Sequence, residues 1–225
     1  MSVAINMNIV AATCGDTLST VSTAAAAPIT PLLLSVPLRV RSFFSKLRGV
    51  SHAPPRMPLG EALYSGLLTF IGMVFLTSIH YSSQGARDLG ILFNLGSFGA
   101  TAVLVYAAPA APLAQPRNVI FGHFLSAIIG VACRVVISDT NANAPGAVFS
   151  AAALAVALSV TVMAAAGITH PPGGATALIA VVGGSEVNAQ GWWFILNAVA
   201  GATILVIVAL IGNNLHPKRT YPIYW

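Results

Sequence analysis

The run Thr169-His170-Pro171-Pro172-Gly173-Gly174-Ala175-Thr176 places a histidine, two prolines and two glycines inside apolar sequence. Pro171 and Pro172 lack an N–H, and Gly173 and Gly174 add backbone freedom, so a helix arriving from upstream must break before Ala175. At membrane depth such a break survives only where protein or a water-filled cavity satisfies the backbone, which makes it a candidate binding site. His170 is the ionisable group at the break. A neutral ring there donates to an anion and a protonated ring pairs with one; the plainer alternative is a histidine that only holds a loop.

A second stretch repeats the pattern. Ser97-Phe98-Gly99-Ala100-Thr101-Ala102-Val103-Leu104-Val105 parallels Pro172-Gly173-Gly174-Ala175-Thr176-Ala177-Leu178-Ile179-Ala180 at an offset of 75 residues, and Ala114-Gln115 matches Ala189-Gln190 at the same offset. The spacing predicts an internal duplication, with repeats over about 59–137 and 146–212. Each unit reads as a long helix, a Gly-Ala-Thr helix and another long helix, and only the first carries the polar insertion Tyr81 to Asp88. Three crossings per unit make the copies inverted, whereas two crossings and a re-entrant piece make them parallel. Both remain open at this level.

The chemistry this predicts is anion binding. A helix that begins inside the membrane directs unpaired N–H groups and partial positive charge at whatever lies before it, so two such N-termini face to face hold an anion without buried Lys or Arg. The candidate substrate-binding residues are Ser97, Gly99, Ala100 and Thr101 in the first copy, and His170, Pro171, Pro172, Gly173, Gly174 and Thr176 in the second. Thr101 and Thr176 offer hydroxyls, Ser97 offers a cap for the first short helix, and glycine lets a ligand approach the backbone. The competing reading makes Gly99, Gly173 and Gly174 simple close-packing residues. His123 joins the list from the third apolar segment, where Arg134 follows eleven residues later on roughly the same face, pointing inward or snorkelling. Asn94 and Asn197 are expected to bond across helices, and Arg117 to anchor the membrane edge.

The elements that must position these residues follow from composition. The chain has 225 residues, 56% hydrophobic and only 7% charged, with mean hydropathy +0.84. An average soluble domain carries roughly 25% charged residues, so this chain cannot cover a water-facing surface and belongs in a bilayer. The expected fold is all-α, a polytopic transmembrane bundle with short or discontinuous Gly-Ala-Thr helices. Five segments read as full or nearly full spans: about 61–80, 89–107, 118–137, 146–167 and 191–212. Ala175 to Val182 is too short to cross. The net charge of +5 sits mainly at the ends, with Arg39, Arg41, Lys46, Arg48 and Arg56 before the apolar region and Lys218 and Arg219 after it. That is topology information rather than a nucleic-acid patch, and it favours both ends on one side with an even number of crossings. Six crossings, or four with two re-entrant elements, satisfy it.

Residues 1–57 are expected to be a flexible tail, rich in Ser, Thr and Ala and then basic, resembling an organelle transit peptide; the alternative is a tail lying on anionic lipid. The remainder, 58–225, is one membrane domain. Cys14 and Cys133 support neither a disulfide framework nor a thiolate metal site, and His80, His123 and His170 show no metal-ligand spacing. No enzymatic constellation and no cofactor motif occurs, so an enzyme is not expected. Expected partners are a small anion, the bilayer and, from the Ala- and Gly-rich faces of 146–167 and 198–202, further copies of the chain as a dimer or trimer.

Four ordered motifs then carry a resemblance. Gly96 to Leu104 (GSFGATAVL), Pro112 to Val119 (PLAQPRNV) with Gly122-His123, Thr169 to Thr176 (THPPGGAT), and Asn213-Asn214-Leu215 with Tyr221 to Trp225 (YPIYW) together resemble the HPP family of integral membrane proteins, over about residues 59–225. The resemblance implies a compact membrane domain, usually described with four spanning helices, whose plastid and cyanobacterial members are implicated in nitrite transport. It therefore implies a transporter of a small monovalent anion, nitrite above all, in a plastid envelope or other organelle membrane. A non-transporting scaffold or sensor, or a transporter of another small solute, is the alternative.

Overall fold

The computed structural model describes residues 38–47, 52–53, 55–82, 96–141, 144 and 146–225, which divide into two units, Met1–Pro55 and Arg56–Trp225. In the first unit the described element is a short helix, α1 (Leu38–Lys46), with Phe43 and Phe44 exposed. Most of the expected transit segment, Cys14, and the stretch 83–95 with Arg87, Asp88 and Asn94 lie outside the described residues.

The second unit is built from helices alone among the described residues. Four are long and apolar enough to cross a bilayer: α2 (Leu59–Ser82), α4 (Pro116–Asp139), α5 (Ala147–Ala165) and α8 (Trp193–Leu215). Two more are apolar but short, α3 (Gly96–Ala107) and α6 (Pro171–Val182), and a small helix, α7 (Gly184–Ala189), follows α6. The expected span at 89–107 is thus described only as the short α3. A helix of its length covers roughly 18 Å at about 1.5 Å per residue, against a hydrocarbon core of about 30 Å. The 75-residue offset of the sequence carries the described residues of α3, Gly96–Ala107, onto Pro171–Val182 of α6.

Local sequence explains where these elements stop and start. α5 ends in a Schellman motif: Gly167 adopts φ 65°, its N–H donates to Ala164 O at 3.2 Å, and the Ile168 N–H donates to Met163 O at 3.0 Å. Three residues later Pro171 and Pro172 occupy the first positions of α6, behind an extended His170 (φ −140°, ψ 100°). Fixed proline φ values and missing donors are tolerated there and nowhere deeper in a helix. α4 uses the same device, with Pro116 behind an extended Gln115. The last part of α3 (Val103–Ala107) and of α4 (Arg134–Asp139) is wound as π-helix.

Contacts at the helix ends give the topology. The start of α2, the ends of α3, α5 and α8 and the start of α4 share one end of the bundle: Tyr64 Oη donates to Gly212 O, Asn213 Nδ2 to Val105 O, Tyr221 Oη to Ala114 O and Arg117 to Ala166 O. The ends of α4 and α6 meet at the other, where Arg134 donates to Ala180 O and Asn188 Oδ1. The described part of α3 therefore runs from mid-depth to one end and α6 from mid-depth to the other. The sets α2-α3-α4 and α5-α6-α8 run in opposite senses, as inverted copies would, with two spanning helices and one short helix described in each. The outer faces of the long helices are apolar, with Leu63, Phe70, Phe75, Phe149, Leu158, Leu196 and Ile211 exposed to the bilayer.

Small residues bring the short helices against the long ones. A Cβ at Gly173 of α6 would lie 2.8 Å from Gly122 O and 2.9 Å from Ser126 Oγ, and one at Gly130 of α4 would lie 2.7 Å from Ala177 O. In the other copy Phe98, the repeat equivalent of Gly173, presses its ring on Gly201 of α8. Close approach of this kind is what drives association where lipid is as apolar as the side chains.

Candidate functional site where the two short helices begin

Five side chains from three helices and one connection meet at mid-depth. Ser97, Thr101, His123, His170 and Thr176 are all fully buried. Thr101 Oγ1 lies 2.8 Å from His123 Nε2 and 3.2 Å from His170 Nε2. His123 Nδ1 lies 2.8 Å from Thr176 Oγ1, which is 2.9 Å from Ser97 Oγ. His170 Nδ1 closes the series, 2.8 Å from Leu113 O. The imidazole rings stand edge to face with centroids 5.1 Å apart, and Phe98 walls His123 at 5.5 Å.

The repeat explains the centre of this arrangement. Thr101 and Thr176 are equivalent positions of the two copies, and inversion brings them to opposite nitrogens of one imidazole, His123. The histidines are not equivalent to each other, so the pseudo-symmetric pair of hydroxyls surrounds an asymmetric pair of rings. No Asp, Glu, Lys or Arg side chain among the described residues bonds to the five. Hydroxyls and imidazoles in a dry setting can orient a small anion or move a proton.

The structure revises several sequence expectations. Ser97 sits inside α3 and its hydroxyl goes to Thr176, so it does not cap the helix. The expected N–H donors of α6 are few, because Pro171 and Pro172 have none and the Gly173 N–H donates to His170 O at 2.8 Å. Ala100 and Pro171 are exposed and Gly99 is half-exposed, away from the network. The tandem glycines divide their labour: Gly173 is the packing residue, whereas Gly174 is buried with nothing within 4 Å of an added Cβ. Pro172 is buried beneath Thr176, whose hydroxyl reaches Pro172 O at 3.3 Å.

Arg134 neither snorkels nor reaches the network. Its buried guanidinium lies 3.4 Å from Ala180 O, at the carbonyl end of α6, with Asn188 Oδ1 at 3.2 Å and Asp139 at 3.6 Å. Arg219 does the same for α3 and went unnoticed in the sequence as a tail charge. It donates to Tyr106 O at 2.8 Å, Ser65 Oγ at 2.8 Å and Asn213 Oδ1 at 3.2 Å, pairs with Glu61 at 3.3 Å, and covers the Tyr64 ring at 5.2 Å. A cation at a helix C-terminus complements the dipole there. Each short helix thus has its carbonyl end held by a buried arginine. Gln115 was missed as well: its side chain gathers Pro109 O, Ala111 O and the Ile223 N–H, pinning the C-terminal segment. Burial first, and Tyr106 second, push the Tyr221 phenol above its ordinary range, so it remains a donor to Ala114 O.

Comparisons with known proteins agree with this architecture. The family model described as the HPP transmembrane region matches residues 54–222. Two transmembrane proteins of Dictyostelium discoideum are each 42% identical to the chain, over 196 and 195 residues; the matches cover 86% of this chain and 66% and 60% of theirs. The chain thus spans less than two thirds of the length of the curated relatives it matches. No solved structure matches it. With the His-Pro-Pro motif opening a half-helix at the polar centre of an apolar bundle, and the family model matching from before α2 to beyond α8, the chain belongs to the HPP family of integral membrane proteins.

Proposed function

We infer that the protein moves a small monovalent anion across its membrane, nitrite being the substrate that the family resemblance favours. The observation that carries this is the N-terminal end of α6, opening at mid-depth onto a buried polar cluster that α3 shares and to which no carboxylate among the described residues bonds. The α6 dipole directs partial positive charge at that place, and the carbonyl ends of α6 and α3 are neutralised elsewhere by Arg134 and Arg219. The room beside buried Gly174 lets a small ligand reach the backbone.

The test is uptake of nitrite, nitrate, formate and chloride into proteoliposomes. Wild type is compared with His170→Ala and His123→Ala, with incorporation checked for each. Saturable nitrite flux in wild type, lost in both variants, is the expected result. Flux of none of the four anions, or flux unchanged in both variants, would favour a scaffold or sensor or another solute.

A further inference from the structure

The five-residue cluster has more order than a binding site requires. Leu113 O is a carbonyl and only accepts, so the His170 nitrogen 2.8 Å from it carries a proton at Nδ1. In the neutral ring Nε2 is then an acceptor, and the atom facing it, Thr101 Oγ1, must donate. Thr101 has one proton, so its other imidazole neighbour, His123 Nε2 at 2.8 Å, must donate to it. His123 Nδ1 is then an acceptor and takes the Thr176 proton; the Thr176 and Ser97 hydroxyls lie 2.9 Å apart, a contact in which either can donate, and with the Thr176 proton on His123 it is Ser97 that donates. Thr101 and Thr176 also have a carbonyl one turn back, Ser97 O at 3.2 Å and Pro172 O at 3.3 Å, but the orientation that leaves no ring nitrogen unpaired runs from Ser97 to Thr176 to His123 to Thr101 to His170 to Leu113 O.

We propose that Ser97, Thr176, His123, Thr101 and His170 form a relay that loads one proton onto His170, so that the anion of the preceding section moves together with a proton. The coupling rests on that reading; the relay does not. A proton arriving on Ser97 Oγ forms one O–H bond there, and the original Ser97 proton passes to Thr176. The Thr176 proton passes to His123 Nδ1, the His123 Nε2 proton to Thr101, and the Thr101 proton to His170 Nε2. Each hop breaks one O–H or N–H bond and forms another, no electrons are exchanged, and the chain ends reversed with His170 cationic. The Leu113 end is closed because a carbonyl cannot pass a proton on.

Other titratable groups stand aside. Within α5, α6 and α8 there is no acidic, basic or histidine side chain. α3 offers only Tyr106, bonded to Leu205 O, and the tail offers Tyr221, bonded to Ala114 O. On α4, Arg117 is turned to Ala166 O and Arg134 to Ala180 O. A charged His170 at the positive end of α6 is disfavoured alone and favoured beside an anion. Proton and anion therefore raise each other's affinity, a reciprocal linkage.

Solid-state NMR of nitrogen-15 histidine in the full chain in bilayers reads the relay directly, with His123→Gln and His170→Gln assigning the signals. At neutral pH His170 is expected to carry its proton on Nδ1 and His123 on Nε2. On acidification His170 becomes doubly protonated and the His123 proton moves to Nδ1. Thr101→Val removes the linking hydroxyl and abolishes the His123 switch, and Thr101→Ser restores it. A His123 tautomer that never changes in wild type, or that still switches in Thr101→Val, overturns the relay.

Coupling is read by nitrite flux under imposed potassium–valinomycin potentials and pH gradients, corrected for nitrous acid leak through protein-free vesicles. One anion with one proton moves no net charge. Wild-type flux is therefore expected to ignore the potential and follow the pH gradient, and the Thr101→Val variant to lose its pH-gradient response. Flux that follows the potential in wild type overturns the coupling. A tautomer switch with no flux of any anion upholds the relay and overturns the anion reading.

Discussion

The two short helices match at the 75-residue offset of the sequence, and they differ in what holds them. α6 lies flush on α4 through Gly173, Ala177 and Ala180 against Gly122, Ser126 and Gly130. α3 replaces that seam with one large ring, Phe98, fully buried on Gly201 of α8. α6 enters through two prolines and a histidine, and α3 leaves as π-helix. Both nevertheless present a threonine to the same imidazole. The polar contact is shared while the packing differs, and an unpaired hydroxyl in a dry bundle core costs as much as a change in apolar shape.

The largest effect is expected from exchanging the two seams. Gly173→Phe places a ring where the Gly122 carbonyl already lies 2.8 Å from a modest Cβ, and it should abolish folded protein in detergent size-exclusion profiles. Phe98→Ala leaves a cavity instead, and should cost about 3–5 kcal/mol in the detergent melting of a protein that still folds. Equal loss in both would sink the view that the seams are distinct solutions.

Next come the arginines. Arg219→Gln is expected to destabilise by on the order of 3 kcal/mol, since it strips Glu61, Ser65, Asn213 and the Tyr106 carbonyl of a shared donor. Arg134→Gln, with longer bonds, should lose less; the reverse ranking in thermal shift would break the proposed division of labour between the two helix ends.

Smaller again is Gly122→Ala, whose Cβ would lie 2.7 Å from His170 Cβ. It should cost about 1–3 kcal/mol as overpacking and displace His170, lowering nitrite uptake more than stability. The smallest structural effect is expected from Gly174→Ala, where the added methyl meets nothing within 4 Å. Helix propensity favours it by roughly 1 kcal/mol. If the room beside Gly174 is where the anion passes, melting stays unchanged or rises while uptake falls; unchanged uptake would detach that room from transport.

Composition and hydropathy were enough to establish an all-helical membrane bundle, because long apolar runs satisfy their backbone in lipid as helices; of the five runs read as spans, four are spanning helices and 89–107 is described only as the short α3. The Pro-Pro-Gly-Gly break located the short α6, since Pro and Gly act on the local chain whatever surrounds it. The handedness of the repeat was not legible. It depended on which helix ends met, and contacts such as Arg219 with Glu61 or Arg134 with Ala180 O join residues far apart in sequence. Nor could the sequence tell Gly173 from Gly174, or Arg134 as a helix clamp from Arg134 as a ligand, because those roles are set by what lies a few ångströms away on another helix. His170 and His123 were recognisable as isolated polar groups in apolar segments, which must find partners. Only the tertiary structure decided that each would find Thr101, because the partners lie on helices far apart in sequence.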